Sequence, residues 1–150
     1  MSIIETTFFK QLTAETFENA SPRITIEHSQ SNKKIVTTGA VLEEQFIYKD
    51  KYILFITEDI PFEEALHILL LNSDLTILDA IELSAPYASG ILNNISIQAP
   101  NKIQFTFFDN QIYWILKLLE KPKIQLWGNK HLFKRFSPFL HKTWMLLDKK

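Results

Sequence analysis

Asn19-Ala20-Ser21-Pro22-Arg23-Ile24-Thr25-Ile26-Glu27 is the stretch at which the apolar period of this chain changes. Before it, Phe8, Phe9, Leu12 and Phe17 recur at spacings near three to five, which predicts a short amphipathic helix over residues 6–19. Pro22 disfavours helical geometry in the residue before it, so such a helix ends here. After it, Ile24 and Ile26 alternate with Thr25 and Glu27, the period of a half-buried strand.

Period two then runs on toward the C-terminus. Ser29-Gln30-Ser31-Asn32 reads as a polar turn, and residues 35–38 and 41–48 read as one long strand carrying a bulge at Gly39. Lys49-Asp50 separates two apolar runs as a tight hairpin, and the strand over residues 52–57 ends at Glu58-Asp59-Ile60-Pro61. Asn72-Ser73-Asp74 joins strands over 65–71 and 75–84, whereas 84–92, with Pro86, Ser89 and Gly90, reads as a loop. Strands over 95–99, 103–108 and 112–119 are joined by Pro100-Asn101 and Asp109-Asn110, with a last one over 123–127. Connections this short demand antiparallel neighbours.

Residues 130–147 place Leu132, Phe133, Phe136, Phe139, Leu140, Trp144 and Leu147 at helical spacings, predicting two short helices that meet at Ser137-Pro138. The expected fold is therefore mainly β (α+β). It is a curved antiparallel meander or half-barrel of about seven strands between Arg23 and Trp127, or a sandwich, with short N- and C-terminal helices packed on it. A length of 150 residues suits one domain, residues 1–150.

Composition narrows the chemistry. With no cysteine, thiolate metal sites, disulfides and cysteine nucleophiles are excluded. The N-terminus carries no basic start or apolar run, and no stretch approaches a membrane span, so a cytoplasmic protein is expected. The three glycines, Gly39, Gly90 and Gly128, are too scattered for a phosphate-cradling loop. Ala88-Ser89-Gly90 lacks the glycine that a nucleophile elbow needs two positions before its serine. The histidines, His28, His67, His131 and His141, match no short metal-ligand spacing. Glu63 and Glu64 would face His67 on a helix, but residues 66–71 read as a strand, which separates them and makes His67 a polar strand residue. Asp79 falls on an apolar strand face; either it is paired or, the preferred reading, a bulge turns it outward. No catalytic residue, metal or organic cofactor is expected.

Charge is the most informative feature. Residues 1–116 hold 7 Lys or Arg against 15 Asp or Glu, whereas residues 117–150 hold 9 against 2. Between Glu43 and Glu82 only Lys49 and Lys51 oppose the acids. Glu58-Asp59 and Glu63-Glu64 are too close along one loop to act on opposite faces of a sugar, which argues against glycoside hydrolysis. Two readings remain for them, a solvated loop and a patch that receives a basic partner. At the C-terminal end, Lys130, His131, Lys134, Arg135, His141 and Lys142 interleave with Phe133, Phe136, Phe139 and Trp144. That pattern suits either a nucleic-acid grip or an aromatic face packed on a sheet, and the slightly acidic whole favours the second.

Tyr52-Ile53-Leu54-Phe55-Ile56-Thr57-Glu58-Asp59-Ile60-Pro61-Phe62-Glu63-Glu64, continuing through Ala85-Pro86-Tyr87, resembles small bacterial immunity proteins of contact-dependent inhibition and other polymorphic toxin systems. The resemblance covers about residues 51–92 and carries over no functional residue. It implies a class of task, the binding and neutralising of a cognate toxin domain. An acidic inhibitor face complements the basic surface that a nuclease toxin needs. The expected partner-binding residues are Glu43, Glu44, Glu58, Asp59, Glu63 and Glu64, facing a basic protein partner, with sheet-based nucleic-acid binding as the alternative. Against docking stands an intramolecular rival, in which the basic C-terminal segment lies across the acidic sheet.

Overall fold

The computed structural model describes residues 2–60, 62–108, 112–125, 133–135 and 141–150. Among these the chain is mainly β and contains no helix; its strands form three antiparallel sheets. The central sheet has six strands in the order β1 (Ile4–Glu5), β5 (Val41–Tyr48), β6 (Lys51–Thr57), β7 (Ala65–Leu71), β8 (Ile77–Ser84) and β12 (Phe133–Arg135). A four-stranded sheet has the order β13 (His141–Lys149), β11 (Tyr113–Gln125), β10 (Lys102–Phe108) and β9 (Gly90–Gln98). A third sheet is formed by β2 (Phe9–Phe17), β3 (Ala20–His28) and β4 (Lys34–Thr38).

The central sheet is covered on both faces. One face, with Phe46, Ile53, Phe55, Leu66, Ile68, Ile81 and Leu83, packs against Ile103, Phe105, Phe107, Trp114, Leu116 and Met145 of the four-stranded sheet. Phe55 meets Phe105 edge to face across that interface, ring centroids 5.4 Å apart. The opposite face, with Tyr52, Leu54, Ile56, Leu69 and Leu71, packs against Phe9, Ile24 and Ile26 of the three-stranded sheet. This explains the sequence of β6 and β7. Strands with both faces buried lose alternation and read as continuous apolar runs, and every residue from Ala65 to Leu71 is buried. Each fully buried Ile, Leu or Phe here contributes about 1.5–3 kcal/mol of burial.

Several expectations are corrected. One curved sheet gives way to three stacked ones. Instead of an N-terminal helix, residues 9–17 form β2, whose only buried position is Phe9. An outer strand needs little apolar alternation, and register shifts at Gln11/Thr13 and Glu15/Phe17 break what remains, leaving spacings that mimic a helix. The long strand through Gly39 is two strands in different sheets. Gly39, at φ +140°, carries the chain from one layer to the next, where an added Cβ would lie 2.2 Å from Ile56 Cγ2. At the C-terminus β12 and β13 replace the expected helices where residues are described. Thr143, Met145 and Leu147 are buried in strict alternation, while the Ser137-Pro138 junction and the Asp109-Asn110 turn lie outside the described residues. The hairpins at Lys49-Asp50 and Asn72-Ser73-Asp74 are present. No helix among the described residues is long and apolar enough to cross a membrane.

Asp79 joins two layers. A bulge does occur beside it, where the β7–β8 register shifts between Leu70 and Leu71, but it turns Asp79 inward, and the side chain is fully buried. Its Oδ1 accepts from Ala80 N at 2.9 Å, and its Oδ2 accepts from both Trp144 N and Met145 N at 3.0 Å. Consecutive amides of a regular strand point opposite ways, so two of them reaching one oxygen mark an irregularity. It lies where β11 slips against β13 between Leu118 and Lys123. The carboxylate thus satisfies amides that the ladder leaves over.

Asp79→Ala orphans these buried amides and is expected to cost about 3 kcal/mol in urea unfolding. Asp79→Asn, which keeps one acceptor oxygen, should cost clearly less. Equal losses for the two variants would show that side-chain volume, and not the acceptor, matters.

Candidate functional site

The register of β5, β6 and β7 gathers the acidic residues at one end of the central sheet. Val41 pairs with Thr57 and Thr57 with Leu66, so the start of β5, the end of β6 and the start of β7 lie together. The loop over residues 58–64 leaves from that end. Beside it runs the 85–89 connection, because Glu64 N donates to Ala88 O at 3.0 Å.

The six sequence-derived acids play different parts. Glu64 is buried, and its Oε1 accepts from Glu58 N and Ala65 N, each at 2.9 Å. Burial pushes its carboxyl above the usual glutamate range, and the backbone amides of Ala65, Glu58, Ile60 and Asp59 pull it back. Glu64 therefore staples its own loop. Glu58 is buried too and accepts from His67 Nε2 at 2.6 Å. Glu43 is exposed at the β5 bulge, and its Oε1 accepts from Thr57 Oγ1 at 2.9 Å. Glu44 is half-buried; burial first, then the neighbouring Glu5 and Glu43, raise its pKa. Asp59 and Glu63 are exposed, and no described basic side chain forms an ion pair with either.

These two acids stand in apolar company. Phe62 is 83 % exposed, Tyr87 90 % and Ile91 78 %, values far above those of the other aromatic and aliphatic side chains nearby. Phe62 and Tyr87 flank the hydrogen bond that ties their loops together. Ile91 also lines a cleft of about 780 Å³, together with Asp59, Glu64, Ser89, Gly90, Asn93, Asn94, Thr106, Phe107, Phe108 and Tyr113. Aromatic and aliphatic groups left in water close to a cleft of mixed polar and apolar lining, with carboxylates beside them, have the make-up of a recognition surface.

The histidines divide by environment. His28 is buried, and Ser31 N donates to its Nδ1 at 3.3 Å, so the ring proton sits on Nε2 and is shared with Tyr52 Oη at 3.1 Å. With Phe8 and Phe9 around it, this is a satisfied core histidine. His67 is a strand residue, as its sequence implied. The fold nevertheless brings it to two carboxylates that sequence spacing did not pair with it, Glu58 and Glu82. Both follow from register, since Ile56 and Glu82 pair with His67 across the ladders. The exposed Phe62, Tyr87 and Ile91 were also missed, although a large apolar residue inside a turn segment is a readable signal. Comparison with protein-family models, with curated protein sequences and with solved structures finds no match for this chain.

Because Glu64 holds its proton longer in the folded chain than in the unfolded one, its contribution to stability falls as pH rises above about 4.3, the ordinary glutamate value. The stability of the wild type minus that of Glu64→Gln should therefore decline from pH 4 toward neutrality and then level off. Glu44 shifts in the same direction but is common to both proteins and cancels. A difference that grows over this range in chemical denaturation would contradict the assigned environment.

Proposed function

We propose that this chain is a non-catalytic protein-binding domain, an immunity protein that captures a basic toxin domain at the acidic, aromatic end of its central sheet. The observation that carries the reading is the exposure of Phe62, Tyr87 and Ile91 beside Asp59 and Glu63. Exposed aromatic anchors supply the desolvated centre of an interface. Acids at the rim accelerate encounter with a basic partner and reject acidic ones. Glu43 and Glu44 extend the negative field along the same end, whereas Glu58 and Glu64 shape the loop from inside.

Two further observations bear on its rivals. The intramolecular alternative is met in part at the far edge of the central sheet, where β12 sets Lys134 opposite Glu82, whereas among the described residues no Lys or Arg pairs with Asp59 or Glu63. The nucleic-acid alternative needs free aromatic faces at the basic end. Of the aromatic side chains that reading used, Trp144 is described, and it packs on the core with Lys51 Nζ 4.9 Å from its ring centroid.

The test uses the polypeptide encoded by the adjacent reading frame as partner. Co-production of this chain should protect growing bacteria, and the purified pair should associate with a strong salt dependence. Asp59→Lys with Glu63→Lys should slow association about tenfold or more and flatten that dependence, with the melting temperature unchanged. Phe62→Ala with Tyr87→Ala should mainly speed dissociation, at a cost of about 2 kcal/mol or more. Protection and binding that survive all four substitutions would sink the proposed surface, and absence of both in the wild type would sink the proposed partner.

A further inference from the structure

Outside the docking cleft, the cluster of His67, Glu58 and Glu82 has chemistry that the proposed function does not use. The three side chains stand on neighbouring strands of the central sheet and at its rim. His67 is in mid-β7, Glu82 is directly opposite on β8, and Glu58 follows the end of β6. Donor atoms of all three lie within 4.8 Å of one another.

The two ring nitrogens meet different surroundings. Nε2 lies 2.6 Å from Glu58 Oε2. A carboxylate can only accept, so the proton of this bond belongs to Nε2. In the neutral ring Nδ1 then presents a lone pair, and what it faces is Glu82 Oε1 at 3.9 Å. That is too long for a hydrogen bond. A cation seated between the two atoms would join them. The span fits such a cation. With Zn–N and Zn–O bonds of about 2.0–2.2 Å, two ligands of a tetrahedral ion lie about 3.4 Å apart, so a closure of a few tenths of an ångström suffices.

We propose that His67 Nδ1 and Glu82 hold a divalent first-row cation, Zn²⁺ foremost, with Glu58 orienting the imidazole from its opposite nitrogen. The outer contacts are those that metal ligands require. A ligating histidine donates its remaining N–H to a carboxylate, here Glu58. A ligating carboxylate is itself hydrogen-bonded, and Ser84 Oγ donates to Glu82 Oε2 at 3.1 Å. Imidazole nitrogen with carboxylate oxygen suits borderline ions such as Zn²⁺ better than Mg²⁺ or Ca²⁺. Glu82 is 31 % exposed at its side chain, so water can complete the coordination sphere from that side. None of the three lines the cleft, but Glu58 also shapes the 58–64 loop, so His67 and Glu82 are the residues that test the cation apart from docking.

The experiment strips the full chain with a chelator and titrates it with Zn²⁺ by calorimetry and with Co²⁺ by visible absorption. The wild type should take up one ion per chain and gain thermal stability with it. His67→Ala and Glu82→Gln should lose that uptake, while Glu58→Gln should weaken it by about 10–100-fold. His28, His131 and His141 remain in every variant and report adventitious binding. Should His67→Ala not fold, the half-exposed Glu82→Gln decides. Zn²⁺ binding of equal strength in the wild type and Glu82→Gln, or no binding by the wild type, would overturn the proposal. A Glu58→Gln variant of undiminished affinity would remove Glu58 from it.

Discussion

The burial of β6 and β7 on both faces is the constraint on which the other elements depend. A two-stranded apolar unit of this kind cannot end in water on either side, so it needs one sheet above and another below. The four-stranded sheet supplies the first cover through Phe105, Phe107, Trp114 and Leu116, and the three-stranded sheet supplies the second through Phe9, Ile24 and Ile26. The outer sheets have no such demand on their far faces, and β2 and β9 are largely exposed.

Stacked sheets leave polar backbone to be satisfied wherever a strand slips or turns, and buried carboxylates do this work at two places. Asp79 takes up the amides of Trp144 and Met145 where β11 and β13 lose register, tying the last strand to the central sheet. Glu64 takes up the amides of Glu58 and Ala65 inside the 58–64 loop. In each case a side chain that composition counts as negative surface is internal scaffolding. Glu58 belongs with them, since it turns inward to His67. The acids left for a partner, Asp59 and Glu63, stand where Glu64 holds their loop. Phe62 and Tyr87 are displayed by the same loop and its neighbour.

This arrangement separates rigidity from recognition. The strands end in register at one rim of the central sheet, and the connections there are short and cross-linked through Glu64 N and Ala88 O. Exposed aromatic groups on braced loops lose little conformational freedom on binding, which favours affinity. The histidine–carboxylate cluster sits on the strands themselves, where the spacing of its groups is set by the ladders.

By itself the sequence determined that most of the stretch from Arg23 to residue 125 is antiparallel β, where most of its turns fall, that His67 lies in a strand and that acid collects between Glu43 and Glu82. All of these rest on local signals, namely period two, short polar connections and charge counting. Only the tertiary structure decided that the sheets number three and that Gly39 passes between two of them. The tertiary structure also made strands of residues 9–17 and 141–149, because residue spacing alone does not tell a bulged outer strand from a helix. It alone decided which acids are surface. Glu58, Asp59, Glu63 and Glu64 are equivalent as letters, and their separation into two buried and two exposed follows from where the loop's amides point. The meeting of Glu58, His67 and Glu82 was likewise beyond one-dimensional reading, because it depends on the register of two ladders, and register is fixed by the packing of whole faces.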